Sequence, residues 1–219
     1  MVDGNHMIID LHAHTRPYSD DSDLNPQELI QQAKRSGLDG ICLTEHDFFW
    51  KEEDMAHLSH EHDFPIFPGV EINTEDGHLL VFGFRKYEFG MHHTEFVRRL
   101  VNDVGGAIIL AHPYRGRVHQ NPAPELLLEQ ALKNPVFGFV DSVEMLNGRS
   151  KTVENSFAQK LCGKLNLKNV GGSDAHSLSD IPSCATVFER KIVNVKELIT
   201  ELKGGRFRAI DLHPTSCSK

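Results

Sequence analysis

Short, unbroken apolar runs recur along the chain, most of them followed by a polar cluster and then by apolar residues at helical spacing. The runs at 7–11, 40–44, 64–70, 79–84, 107–111, 140–146, 168–173, 186–188 and 207–210 predict strands, since a short run without alternation suits a strand buried on both faces. Residues 26–36, 51–62, 94–104, 124–133, 151–162 and 195–203 predict helices. The first helix has the clearest limits: Asn25 and Glu28 spell an Asn-x-x-Glu capping box, Pro26 suits the first turn and Gly37 stops it. This order predicts a parallel sheet covered by helices. No repeat, low-complexity segment or long linker divides the 219 residues, so the expected architecture is one α/β domain over residues 1–219, a closed or partly closed barrel of about seven strands.

Residues of metal-binding type gather at the ends of these strands. His12 and His14 stand just beyond the first run. Residues two apart in an extended chain project to the same side, so both imidazoles can reach one point. A single His-X-His pair is common on surface turns, but here the arrangement recurs. Asp21 follows, His46 and Glu71 close the second and third runs, His78 opens the fourth, His112 closes the fifth, and Asp174 and His176 follow the seventh. In a barrel of βα units the carboxyl ends of the strands share one face. Six imidazoles and three carboxylates exceed the roughly four ligands of one ion, and predict a cluster of two or three ions with a bridging carboxylate.

Composition narrows the classes. The chain is 39% hydrophobic and 25% charged, as a folded globular domain should be. A net charge of −8 disfavours a surface that tracks long nucleic acid, while a small anionic substrate in a metal-lined pocket stays compatible. Of the fourteen histidines, His57, His60 and His62 fall on a charged helix and read as a solvated face. Cys42, Cys162, Cys184 and Cys217 form no Cys-x-x-Cys pair and read as reduced packing thiols. No apolar run approaches the roughly 20 residues that span a bilayer, and residues 1–6 lack a signal-peptide pattern, so the expected location is the cytoplasm, with no membrane partner.

The ordered segments Asp10-Leu11-His12-Ala13-His14-Thr15, Leu43-Thr44-Glu45-His46-Asp47, Pro68-Gly69-Val70-Glu71, Gly77-His78-Leu79-Leu80, Ala111-His112-Pro113 and Gly172-Ser173-Asp174-Ala175-His176 resemble the PHP family of polymerase and histidinol-phosphatase domains. Val143-Glu144-Met145-Leu146-Asn147-Gly148 is similar to a segment of its smaller stand-alone members. The resemblance implies a distorted (β/α)7 barrel of TIM type, a trinuclear metal centre and hydrolysis of phosphate esters. It implies that His12 and His14 bind one ion with Glu71 and Asp174, that Glu71 bridges to a second ion held by His78 and His112, and that Asp21, His46 and His176 hold the third. Glu71, positioning the water, together with His14 and His176, would be catalytic. Glu45 stands where the family usually has Asp and is left outside the ligand set. The spacer after His14 is longer than in the family's compact form, which makes Asp20 a rival of Asp21; Asp21 is favoured by its spacing to Pro26.

Two or three manganese, iron or zinc ions in such a site would activate water for attack on phosphorus without a covalent nucleophile. Arg16, Arg115 and Arg149 follow strand ends and could grip a phosphate, and Asp10 could orient a histidine ligand or make a purely structural hydrogen bond. The leading expectation is a phosphoesterase acting on a small phosphorylated metabolite or nucleotide. A nuclease or exonuclease is the alternative enzyme, disfavoured by the acidic balance and by the lack of a basic, aromatic-studded stretch. A regulatory module that has lost turnover is the alternative of another class, and the intact ligand set argues against it.

Overall fold

The structure, a computed structural model, describes residues 6–213. Nine strands form one sheet: β1 (Met7–Asp10), β2 (Gly40–Leu43), β3 (Ile66–Thr74), β4 (Gly77–Phe82), β5 (Ala107–Leu110), β6 (Ser142–Asn147), β7 (Asn169–Gly172), β8 (Cys184–Phe188) and β9 (Phe207–Asp211). Six helices intervene: α1 (Pro26–Arg35), α2 (Glu52–His62), α3 (Thr94–Asp103), α4 (Pro124–Ala131), α5 (Thr152–Leu165) and α6 (Val195–Gly204). The sheet order is β7-β6-β5-β4-β3-β2-β1-β8-β9. None of the described helices is long and apolar enough to cross a membrane.

The sheet curls into a nearly closed barrel of β1 to β7. Just past β1 and β7 the two chains meet directly: Asp174 N donates to His12 O (2.8 Å), His14 N donates to Ala175 O (3.0 Å), and Ala13 and Ala175 form a parallel bridge. At the other end β8 fills the seam. It pairs antiparallel with β1, and the Thr186 hydroxyl accepts from Gly171 N (2.9 Å) and donates to Gly171 O (2.8 Å). Only glycine fits there, because a Cβ on Gly171 would stand 2.5 Å from the Ala185 carbonyl oxygen. Ile9, Leu11, Phe67, Leu80, Phe82, Ile109 and Val170 form one buried cluster, into which α6 packs Leu198 and Leu202. Helix α1 buries Leu29, Ile30 and Ala33 against the outside of the sheet, as its spacing predicts.

Three expectations need correction. The sheet is mixed: β4 runs antiparallel to both β3 and β5, and β8 runs antiparallel to β1 and β9. The cause at β4 is the two-residue turn Glu75–Asp76, far too short for the crossover that a parallel neighbour requires. Glu71 also lies inside β3, which continues to Thr74. At α1, Asn25 Oδ1 accepts from Gln27 N (2.9 Å), so the cap is present without the reciprocal bond from Glu28.

Candidate metal centre

Each candidate side chain reaches one face by a local device. His12 and His14 leave β1 two residues apart, with Ala13 between them held in the bridge to Ala175. Gly172 makes room for His12, since a Cβ there would stand 2.6 Å from His12 Cβ. His46 forms an isolated bridge with Glu71. In the β3–β4 hairpin Asn73 pairs with His78 and Glu71 with Leu80, which makes Glu71 and His78 diagonal neighbours on one face. His112 and Asp174 follow β5 and β7 in left-handed backbone conformations, φ +24° and +55°, of the kind retained where function over-determines them.

The nine side chains converge on three adjoining groups. His12 Nε2 and His14 Nε2 lie 3.0 Å apart, at 3.4 and 3.2 Å from Glu71 Oε2 and each 3.5 Å from Asp174 Oδ1. The other Glu71 oxygen, Oε1, lies 2.7 Å from His78 Nδ1 and 3.1 Å from His112 Nε2. Asp21 Oδ2 lies 3.0 Å from His176 Nε2 and 3.3 Å from His46 Nε2, while His46 Nδ1 stands 3.1 Å from Glu71 Oε2. Asp20 is exposed, and among the described contacts none joins it to this cluster. Ligands about 2.1 Å from a tetrahedral ion stand about 3.4 Å apart. The spacings of the first group bracket that value, and its two nitrogens and two carboxylate oxygens are a donor set that suits a divalent cation. His46 Nδ1 is buried and lacks a partner in hydrogen-bonding geometry, which again fits a ligand atom.

The electrostatics point the same way. Burial raises the Glu71 and Asp174 carboxyls, yet His12 and the surrounding imidazoles overcome it and hold both well below the usual carboxylate range. Burial opposes charge on His12, but Asp174, Glu144 and Glu71 raise it well above the ordinary imidazole value. The close carboxylate Glu71 also raises His46. Burial and the neighbouring His14 lower His176, with Arg149 adding to the effect. The cluster thus favours positive charge at its centre, as protons or as metal ions, and metal binding would release protons.

A supporting layer fixes the rings. Glu144, buried in β6, places Oε1 3.0 Å from His12 Nδ1, and its Oε2 accepts from His112 N (2.8 Å) and Asn147 Nδ2 (3.0 Å). Asn147 Nδ2 also donates to Asp174 Oδ2 (3.2 Å). Neither residue is assigned a site role from the sequence; the available signals are the glutamate inside a strand and the family resemblance of the segment 143–148 that holds both. The Glu45 carboxylate reaches the cluster only through Ser19 among the described contacts: Oε2 accepts from Thr15 N (2.7 Å) and Ser19 Oγ (2.7 Å), and Ser19 Oγ lies 3.2 Å from His14 Nδ1. His176 Nδ1 lies 2.8 Å from Asp174 O, so that bond directs Nε2 at Asp21. Asp10 makes no ring contact. Its Oδ1 accepts from His12 N (3.1 Å) and Ser173 N (2.9 Å), tying β1 to β7, and burial pushes its carboxyl up to about 6.

The arginines divide. Arg115 pairs through Nη1 with Asp174 Oδ2 at the cluster, and Arg149 lies close enough to depress His176. Arg16 instead turns to Asp23 and the Ser22 carbonyl and stays exposed. A cleft of about 420 Å³ opens beside His78 and His112, lined also by Tyr114, Arg115, Arg117 and Asn134. His57 and His60 are exposed on α2 and outside the cluster. Cys42, Cys162 and Cys184 are buried free thiols, and Cys217 lies outside the described residues.

Known proteins share features of this sequence and fold. The family model described as PHP domain matches residues 10–148, and the model described as PHP-associated matches residues 153–207. An uncharacterized protein of Methanocaldococcus jannaschii is 26% identical over 74% of this chain and 95% of its own. A two-domain protein from Bacteroides vulgatus, with a candidate PHP-like metal-dependent phosphoesterase, superposes with a TM-score of 0.67 at 19% identity, covering 96% of this chain and 66% of that one. A candidate metal-dependent phosphoesterase from Bifidobacterium adolescentis superposes with a TM-score of 0.59 at 17% identity, covering 77% and 87%. At these identities the two structures show a shared fold.

Proposed function

The chain belongs to the PHP family, and on that premise we propose that it is a metal-dependent phosphoesterase acting on a small phosphorylated metabolite or nucleotide. Residues 1–219 would work as one catalytic unit, in the cytoplasm, in keeping with the buried free thiols. His12, His14, Glu71 and Asp174 would hold one ion, Glu71 with His78 and His112 a second, and Asp21, His46 and His176 a third, the ions being manganese, iron or zinc. Divalent ions in such a site supply Lewis-acid polarisation of a phosphoryl oxygen and a lowered pKa for an attacking water.

The observation that carries this reading is the position of Glu71. Its two oxygens face different histidine groups, Oε2 toward His12 and His14 and Oε1 toward His78 and His112, as a bridging carboxylate requires. Around it the chain fixes the ligand rings: Glu144 faces Nδ1 of His12 and directs Nε2 inward, Ser19 does so for His14, and the Asp174 carbonyl does so for His176. Arg115 stands at the rim with a planar donor fork suited to a phosphoryl group. The cleft beside His78 and His112 would take the leaving-group portion of the ester.

One observation keeps the nuclease reading open. Tyr18, Phe48 and Trp50, which no continuous stretch reveals, pack together, Phe48 and Trp50 being two and four residues after His46; Tyr18 and Phe48 stack with centroids 3.8 Å apart, Trp50 meets both edge-on, and Tyr18 is partly exposed. Such a group offers a face to a base. The deciding experiment is a panel of phosphomonoesters, phosphodiesters and short oligonucleotides assayed with manganese, zinc and iron(II). Turnover of small esters that chelation abolishes and metal restores is expected. Turnover confined to oligonucleotides would move the assignment to a nuclease, and no turnover with fully loaded protein would overturn the hydrolase reading.

A further inference from the structure

Strand β8 pairs antiparallel with β9 in a register that sets Cys184 opposite Asp211, and His213 follows two residues later. One ligand-type atom from each of Cys184, Asp211 and His213 lies within 4.8 Å of the other two. We infer that these three residues form a second metal site, of zinc-binding type, that clamps the end of β9 onto β8. None of the nine residues of the barrel centre takes part in it.

Several observations support the site. A cross-strand partner and an i, i+2 pair at a strand end are delivered by the sheet, and Leu212 N donates to Ser183 O (2.8 Å), which pins the segment between Asp211 and His213. His213 Nδ1 lies 2.7 Å from Asp211 Oδ1, so ring and carboxylate already face one another. Ligands at about 2.0–2.3 Å from a tetrahedral zinc stand about 3.5 Å apart, a small side-chain adjustment from the spacing present. Cys184 is buried, and Asp211, Glu144 and Asp10 lie near enough to push its thiol up beyond what burial does. A thiolate alone is unfavourable there. A divalent cation removes the conflict: the sulfur–hydrogen bond breaks, its proton leaves to buffer, and the thiolate forms a bond to the metal. Thiolate, imidazole and carboxylate together suit zinc, and three protein ligands leave one position open to solvent.

Cobalt(II) distinguishes this site from the barrel centre, because a thiolate ligand gives a near-ultraviolet sulfur-to-cobalt charge-transfer band that imidazole and carboxylate ligands do not. Chelator-stripped, full-length protein titrated with cobalt(II) should develop that band. Cys184→Ser should abolish it, and His12→Ala should retain it. His213→Ala, at an exposed position, should weaken the cobalt affinity read from the band by at least about tenfold. Absence of the band in the wild-type chain, its survival in Cys184→Ser, or an unchanged affinity in His213→Ala would each overturn the inference.

Discussion

Replacing Glu144 by Gln changes almost no volume, yet it reverses the hydrogen-bond pattern beneath His12. The carboxylate faces three groups: His12 Nδ1 at 3.0 Å, His112 N–H at 2.8 Å and the Asn147 amide at 3.0 Å. A glutamine amide has one oxygen to offer. With that oxygen left to His112 N–H and Asn147, its NH2 faces His12 Nδ1, which must then accept, and the ring proton moves to Nε2. That is the atom 3.0 Å from His14 Nε2 and 3.5 Å from Asp174 Oδ1, and once protonated it cannot ligate. With the amide turned over, His12 keeps its tautomer, but two donors, His112 N–H and the Asn147 amide, face an NH2. Each buried donor left unpaired costs about 1–3 kcal/mol.

The second outcome predicts a loss of folding stability, whereas the first predicts metal binding weakened by about 10- to 100-fold, equivalent to about 1.4–2.7 kcal/mol. Calorimetric titration of chelator-stripped protein with manganese reads that loss directly. Thermal unfolding of the same stripped preparation separates it from a general loss of stability. A Glu144→Gln protein that binds manganese with wild-type affinity and unfolds at the wild-type temperature would refute the argument that Glu144 sets the tautomer of His12.

Protein purified without chelator should carry two to three divalent ions per chain by elemental analysis, and His12→Ala or His14→Ala should remove at least one; one ion or fewer in a metal-supplemented sample would count against the cluster. Asp21→Asn should weaken the group it forms with His46 and His176 and lower turnover strongly, whereas Asp20→Asn, outside that group, should act mildly, and the reverse ranking in a phosphatase assay would show the register to be wrong by one. Glu71→Gln should reduce kcat strongly with a comparatively small change in KM, because contacts to the rest of the substrate persist. Near wild-type kcat at full metal occupancy would exclude Glu71 as the bridge.

Strands buried on both faces leave unbroken apolar runs, which is why the positions of β1, β2 and β5 could be read from the chain almost to the residue. Histidines at their ends were equally legible, since an imidazole after a buried strand has few structural uses. The supporting layer was hidden for the opposite reason. Glu144 and Asn147 lie within β6, among residues that local pattern assigns to packing, and only the return of β1 beside β7 brings them under His12 and Asp174. For Asp10, which kept both a ring-orienting and a structural reading, and for Arg16, sequence shows that a charge stands near a ligand, but not which way it turns. Asp10 faces the backbone of Ser173 across the seam, and Arg16 faces Asp23 in its own loop.

The direction of β4 decides whether half of the centre exists. His78 stands at the amino end of its strand, and in a parallel β4 that end would lie on the far face of the barrel, about 17 Å away for five steps of about 3.3 Å. The short turn at Glu75–Asp76 reverses the strand and returns His78 to the face where β5 delivers His112. The same turn lets β3 run on past Glu71, so this carboxylate is held by sheet pairing on one side and by the His46 bridge on the other, and is not left at a loose strand end. A carboxylate meant to bridge two ions must keep a fixed separation between its oxygens and the two ligand groups, and a residue inside a paired strand does so better than one in a loop. The irregular strand is therefore what brings His78 to the oxygen of Glu71 that also faces His112, and a regular barrel of parallel strands with this sequence would lack His78 on that face.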